Sequence, residues 1–218
     1  MTWAWDNRAM ILDLTLTHAW LSAVPLVLGF ALAVPVGWFA SRHRRLRGPL
    51  LGTGSILYSI PSLALFVIMP GIIGTGFLSP LNVVIALTIY AAAIMVRSAT
   101  DAFTSVSTTV LDAATATGYS SRQRGLTVEL PLAGPVLLAG LRVISVSTVS
   151  LVSVGALIGV SSLGTLFTDG FNRDFTTEII VGVIGIVVLA LVFDALLVLA
   201  GRILMPWATL SRPSAVSA

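Results

Sequence analysis

The fold class predicted for this chain is all-α integral membrane, with five transmembrane helices and one polar loop between the third and fourth. Three observations predict it. Of the 218 residues, 56% are hydrophobic and only 10% charged, against roughly 25% charged in a soluble domain. Mean hydropathy is +1.01, so the bilayer is the solvent that suits the chain. Residues 19–40 and 48–96 carry no charge at all, and every one of the 12 basic residues is arginine.

Composition also excludes chemistry. There is no Cys and there are only two His, which leaves no thiolate site and no histidine-rich metal or catalytic centre. His18 and His43 are expected at an interface or in a loop. No nucleotide-binding loop of the G-x-x-x-x-G-K-[ST] type is present, so ATP hydrolysis by that route is excluded and no cofactor is expected. Basic residues are too few around any helical pair for a nucleic-acid partner.

Residues 1–18 read as a retained external segment. The opening MTWAWDNRAM lacks the basic start of a secretory signal. Trp3, Trp5 and Trp20 suit an approach to the first span along the interface. Residues 19–40 are long enough to cross about 30 Å of hydrocarbon, and RHRRLR (residues 42–47) stops them. The next uncharged stretch is too long for one helix. MPGIIGTGFLSPLN breaks it with Pro70, Gly71, Gly74, Gly76 and Pro80. The second span is thus 50–69 and the third 81–96, with Arg97 snorkelling at its end. The fourth span is 141–158 and the fifth 179–199. Together, residues 19–200 form the transmembrane domain, and 201–218 form a tail.

Arginine placement orients the spans. Arg42, Arg44, Arg45 and Arg47 lie between spans one and two. Arg97, Arg122 and Arg124 flank or fill the loop between three and four, and Arg202 and Arg212 follow span five. The other side holds Arg8 and Arg173. The positive-inside rule places the N-terminus outside and the C-terminus in the cytoplasm.

The longest polar stretch, DAATATGYSSRQRGLTVELP (residues 112–131), then falls in a cytoplasmic loop spanning 109–131. Thr109 with Asp112 three on is a capping-box-like helix start. Alanines favour helix and Gly118 favours a left-handed stop. Ser120 with Gln123 forms a second capping box, and Pro131 ends that helix or starts the next. Two short helices at an angle are expected. Ala113 and Ala114 leave one face low enough for another protein to approach closely.

Asp112-Ala113-Ala114, three residues, Gly118, nine residues, Val128, one residue, Leu130-Pro131 resembles the EAA loop of ABC-importer permeases, with Asp for Glu and Val for Ile. The resemblance implies that Asp112, Ala113, Ala114, Gly118, Leu130 and Pro131 dock a separate ATPase subunit. LYSIPSLALF, IYAAAIMVRSATDAF, ELPLAGPVLLAGLR and IGVSSLGTL resemble the osmoprotectant branch, which takes up glycine betaine, choline, proline betaine or carnitine. Ser161-Ser162 stands where that branch usually has a Gly pair. The implied assembly is an inner (cytoplasmic) membrane permease dimer of two copies or paralogues, two ABC ATPase subunits and an external substrate-binding protein. A methionine-type importer shares the loop and the five-span plan. An ATP-independent secondary transporter or channel is the alternative from another class.

Three further features are candidates. Pro61 breaks span two, and freed carbonyls at such breaks can meet solute. Tyr58, Ser59, Pro61 and Ser62 are pathway candidates, or else mark a packing kink. Ser147 and Ser150, within a hydroxyl stripe that includes Ser145, Thr148 and Ser153, either line a route or pack helices. Asp194 lies within span five and must face the bundle and find a partner. Arg142, expected near the cytoplasmic end of span four, is the first candidate for a buried ion pair, and Arg97 the second.

Overall fold

The computed structural model describes residues 2–210. In chain order the helices are α1 (Thr2–Asp6), α2 (Arg8–Arg42), α3 (Arg44–Ser59), α4 (Ser62–Ile73), α5 (Pro80–Thr104), α6 (Thr108–Ala116), α7 (Ser121–Arg124), α8 (Leu130–Val152), α9 (Thr165–Asn172), α10 (Thr176–Leu204) and α11 (Trp207–Leu210). A π-helical turn, Gly125–Glu129, joins α7 to α8, and a 3₁₀ stretch, Ser153–Ile158, follows α8. Four stretches of helix are long and apolar enough to cross a membrane, or up to five if the bent α3–α4 pair is one span.

Small residues seat α2 against α5. Gly29, Ala33 and Gly37 recur every four residues and so share one face. A Cβ at Gly29 would stand 2.5 Å from Ala91 Cβ, and one at Gly37 would stand 2.4 Å from Ala99 Cβ. Such contacts let two backbones approach closely where lipid offers no hydrophobic drive for helix association. The two pairs also show that α2 and α5 run parallel. The α3–α4 pair must therefore carry the chain back between them.

α8 runs antiparallel to α2. His18 Nε2 lies 2.8 Å from Val149 O, and Trp38 meets Glu129. α5 is the most enclosed span, with half of its apolar window buried, whereas α10 has 6% buried. The core divides into three clusters. One holds Leu21, Phe66, Leu87 and Val152; a second holds Ala33, Met95, Phe103 and Ile144; a third, around Leu163 and Leu189, fixes the start of α10.

Several expectations change here. The helix of the first span, α2, starts at Arg8, so residues 8–18 belong to it. His18 is fully buried, not interfacial, because it faces α8 from within α2. Span two is no simple kinked helix: α3 and α4 meet at 99°, since Pro61 has no N–H and holds Ile60 extended at ψ 130°. Gly74 (φ +79°) ends α4, and Pro80 opens α5. The fourth-span helix begins at Leu130, so Arg142 lies about 18 Å along it at 1.5 Å per residue, not near its end. Ser161-Ser162 forms a tight corner nonetheless. Ser162 Oγ accepts from Gly164 N at 3.0 Å, and a Cβ at Gly164 would strike Ser153 O at 2.2 Å. Arg212 lies outside the described residues.

Candidate functional site

The loop between α5 and α8 has one free helix and one anchored base. α6 has no buried residue; Asp112 and Ala113 are exposed and Ala114 half-buried. Its helix starts one residue before Thr109, with Ser107 as N-cap and no side-chain capping bond, so the capping box at Thr109–Asp112 is not formed. Gly118 takes φ +89°, the left-handed region that glycine enters without steric cost. Ser120 and Gln123 make both bonds of their capping box, at 3.0 and 3.3 Å. The second short helix is not separate, however. α7, the π-helical turn and α8 run on as one, and Pro131 follows directly on the π-helical turn as the second residue of α8.

Glu129 anchors the base. It is the unspecified residue between Val128 and Leu130, and the motif gave no reason to single it out. Its side chain is 5% exposed. Its Oε1 accepts from Arg42 Nη2 at 2.6 Å and from Arg124 Nε at 3.0 Å, and its Oε2 accepts from Trp38 Nε1 at 2.9 Å. A carboxylate so placed is balanced by charge-assisted bonds. Arg42 also covers the Trp38 ring at 4.0 Å and donates to Ser121 Oγ at 2.7 Å. Arg124 Nη1 donates to Thr115 Oγ1 of α6 at 2.8 Å. The π-helical turn permits this, because Gly125 lies under the indole, where a Cβ would stand 2.6 Å from Trp38 Cζ2. One carboxylate thus ties the end of α2, the start of α8 and, through Arg124, α6.

A groove of about 200 Å³ opens between α3, α5 and α8, with Ser55, Tyr58, Arg97 and Ser147 in its walls. It brings together two of the pathway candidates, Tyr58 and Ser147. The others lie apart: Ser59 and Pro61 are exposed at the helix break, Ser62 is half-buried, and Ser150 is exposed. Ser145 and Thr148 point inward and are buried, so the hydroxyl stripe divides between packing and groove. One carbonyl at the break, Ile60 O, accepts from the Tyr90 hydroxyl.

Arg142 and Asp194 meet side-on, Nε to Oδ1 at 2.6 Å and Nη2 to Oδ2 at 2.7 Å. The pair is not buried in this chain: the side chains are 43% and 29% exposed. α8 and α10 face each other there on the outer side of the bundle.

Several long apolar helices, with a helical loop exposed at the arginine-rich end, define a multi-pass membrane protein. Residues 15–209 match the family model for the binding-protein-dependent transport system inner membrane component, and the chain belongs to that family. It is similar to the osmoprotectant import permease protein OsmW of Salmonella typhimurium, at 34% identity over 88% of this chain and 90% of that one. The choline transport system permease protein OpuBB of Bacillus subtilis is 28% identical over 92% and 91%. An inward-facing structure of the MetNI methionine ABC transporter superposes with a TM-score of 0.76 at 20% identity, over 92% of this chain and 97% of that one.

Proposed function

We propose that this chain is the permease subunit of an ABC importer for osmoprotectants of the quaternary-amine type, such as glycine betaine, choline, proline betaine or carnitine. A separate ATPase drives it and an external binding protein delivers the solute. The N-terminus lies outside and the arginine-rich end faces the cytoplasm. Two permeases, copies or paralogues, form the path. α6 is the ATPase dock, with Asp112, Ala113, Ala114 and Gly118 at the contact and Leu130-Pro131 opening the helix that receives the push.

The observation that carries this reading is the contrast inside one loop. α6 buries none of its residues, while the base a few residues on is fixed to α2 and α8 through Glu129. A helix that is exposed, yet tied through Arg124 and Thr115 to a base that runs on into a span, receives a push from a partner and passes it on. The names and coverage of the relatives favour the osmoprotectant branch, whereas the likeness to the methionine transporter extends to the fold.

The test is uptake of labelled glycine betaine and choline into proteoliposomes holding the permease, its ATPase and its binding protein, with and without internal ATP. ATP-dependent uptake is expected, and Gly118→Val combined with Ala114→Trp should abolish it. Uptake by this chain alone, indifferent to ATP, would overturn the proposal in favour of a secondary carrier or channel.

A further inference from the structure

We propose that Arg97 binds the carboxylate of the transported solute, in the groove between α3, α5 and α8. The inference rests on the permease reading above and extends it to the part of the solute that is recognised.

Arg97 is set apart by its place on α5 and by its company. It stands seven residues before the end of α5, about 10 Å along the helix from the arginine-rich end at 1.5 Å per residue. The carboxylates nearest in the fold are already taken: Asp101 by Arg47 at 3.0 Å, Asp194 by Arg142, and Glu129 by Arg42 and Arg124. The one hydrogen bond described for Arg97 is to Ser55 Oγ, at 3.3 Å. Arg97 is exposed on the helix of a span, and an ionisable side chain in such a helix marks a solute or ion path by default.

The groove supplies the rest. Its walls carry hydroxyls from Ser55, Tyr58 and Ser147, and no carboxylate lines it. Gly54 lets α3 close on α5, since a Cβ there would stand 3.0 Å from Ala93 O; Ser55 and Tyr58 are thereby held over the Arg97 side. The Tyr58 ring is braced edge-on by Tyr90, with centroids 5.8 Å apart at 86°, and the Tyr90 hydroxyl is fixed to the Ile60 carbonyl. One groove thus offers a guanidinium fork, which suits a carboxylate, and an aromatic face, which suits a quaternary ammonium. Its volume suits a small solute; drug-sized ligands occupy about 300 Å³ and more. A zwitterion such as glycine betaine meets both groups. Choline has the ammonium and no carboxylate, and leaves Arg97 unanswered.

The experiment uses the reconstituted complex of permease, ATPase and binding protein, with glycine betaine, choline and methionine as labelled solutes. Arg97→Gln is expected to lower the ratio of betaine to choline uptake at least tenfold, with the loss in apparent KM. Arg97→Lys should recover part of it. A ratio that does not move, whether both rates fall together or neither falls, overturns the proposal and assigns Arg97 to packing or to a second permease copy. Import of choline but of no carboxylate solute by the unsubstituted complex overturns it too, while leaving the osmoprotectant reading intact. Import of methionine alone sinks the osmoprotectant reading instead. The Arg97 proposal is then decided by methionine uptake in Arg97→Gln: a tenfold fall sustains it, and no change overturns it.

Discussion

The α2–α5 pair and the α6 helix differ in nearly everything that holds a helix in place. α2 and α5 touch backbone to backbone through Gly29, Gly37, Ala91 and Ala99, with no room for a further methyl. α6 has no fully buried residue and keeps to the bundle through half-buried Leu111 on the second core cluster, the Arg124–Thr115 bond and its chain neighbours. The first arrangement resists change of shape. The second costs little to displace and leaves a surface for something else. A protein that must both hold a bundle together and answer an outside push needs the two side by side, with Glu129 between them as the link.

The sharpest way to break the comparison is at the closed side. Gly37→Leu forces a branched side chain into Ala99 and the neighbouring backbone, and overpacking of this kind costs about 1–3 kcal/mol and occasionally more. Loss of the monodisperse peak in detergent gel filtration is expected. Gly37→Ala is the milder probe, and Ala99→Gly in the same chain should restore part of the loss. A thermal-melt double-mutant cycle with no coupling between 37 and 99 would mean that the helices do not meet there.

The link comes next. Glu129→Ala leaves Arg42, Arg124 and the Trp38 indole without their shared acceptor. Removing one partner of a buried pair costs about 3–5 kcal/mol. Here both arginines remain about a quarter exposed, and about 1–3 kcal/mol is expected after that discount. Glu129→Gln keeps one acceptor and should lose less. ATP hydrolysis that continues while uptake falls would show that α6 and the spans no longer move together. Unchanged melting and unchanged uptake in Glu129→Ala would remove the link from the argument.

The open side should respond in the opposite way. Ala113→Trp on exposed α6 is expected to change stability by less than about 0.5 kcal/mol, as surface substitutions do. It should still weaken ATPase attachment, read by co-purification. A large stability loss at Ala113 would show that α6 is packed after all, and the contrast would collapse.

How legible was this in the chain of letters? Features set by neighbouring residues could be read. Uncharged length predicted the long helices, Gly118 its left-handed turn, and Ser120–Gln123 their mutual bonds. Features set by a distant partner could not. Gly29, Ala33 and Gly37 are visible as a spacing, but only Ala91 and Ala99 give that spacing a meaning. Glu129 occupies a position the motif leaves blank, and Arg42 counted only as one charge in a cluster; their pairing spans the sequence from α2 to α8. His18 looked like an end-of-helix residue because the start of α2 at Arg8 carries no strong local signal. Pro61 announced a break, while the seating of α4 by Leu65, Phe66 and Met69 in the first core cluster is set by distant partners.

The smallest expected effect concerns the Arg142–Asp194 pair, which stands between the two extremes: well aligned in geometry and open in exposure. The bidentate contact orders both side chains, but neither is sealed from its surroundings in this chain. Asp194→Asn keeps an oxygen to accept from Arg142 and should be nearly silent in melting and uptake. Asp194→Ala removes both acceptors and should fall modestly below it. Equality of the two would mean that the contact is incidental. A severe loss in Asp194→Asn as well would mean that the full charge is required, as when a second permease or another protein seals that face of α8 and α10 and turns an open pair into a buried one.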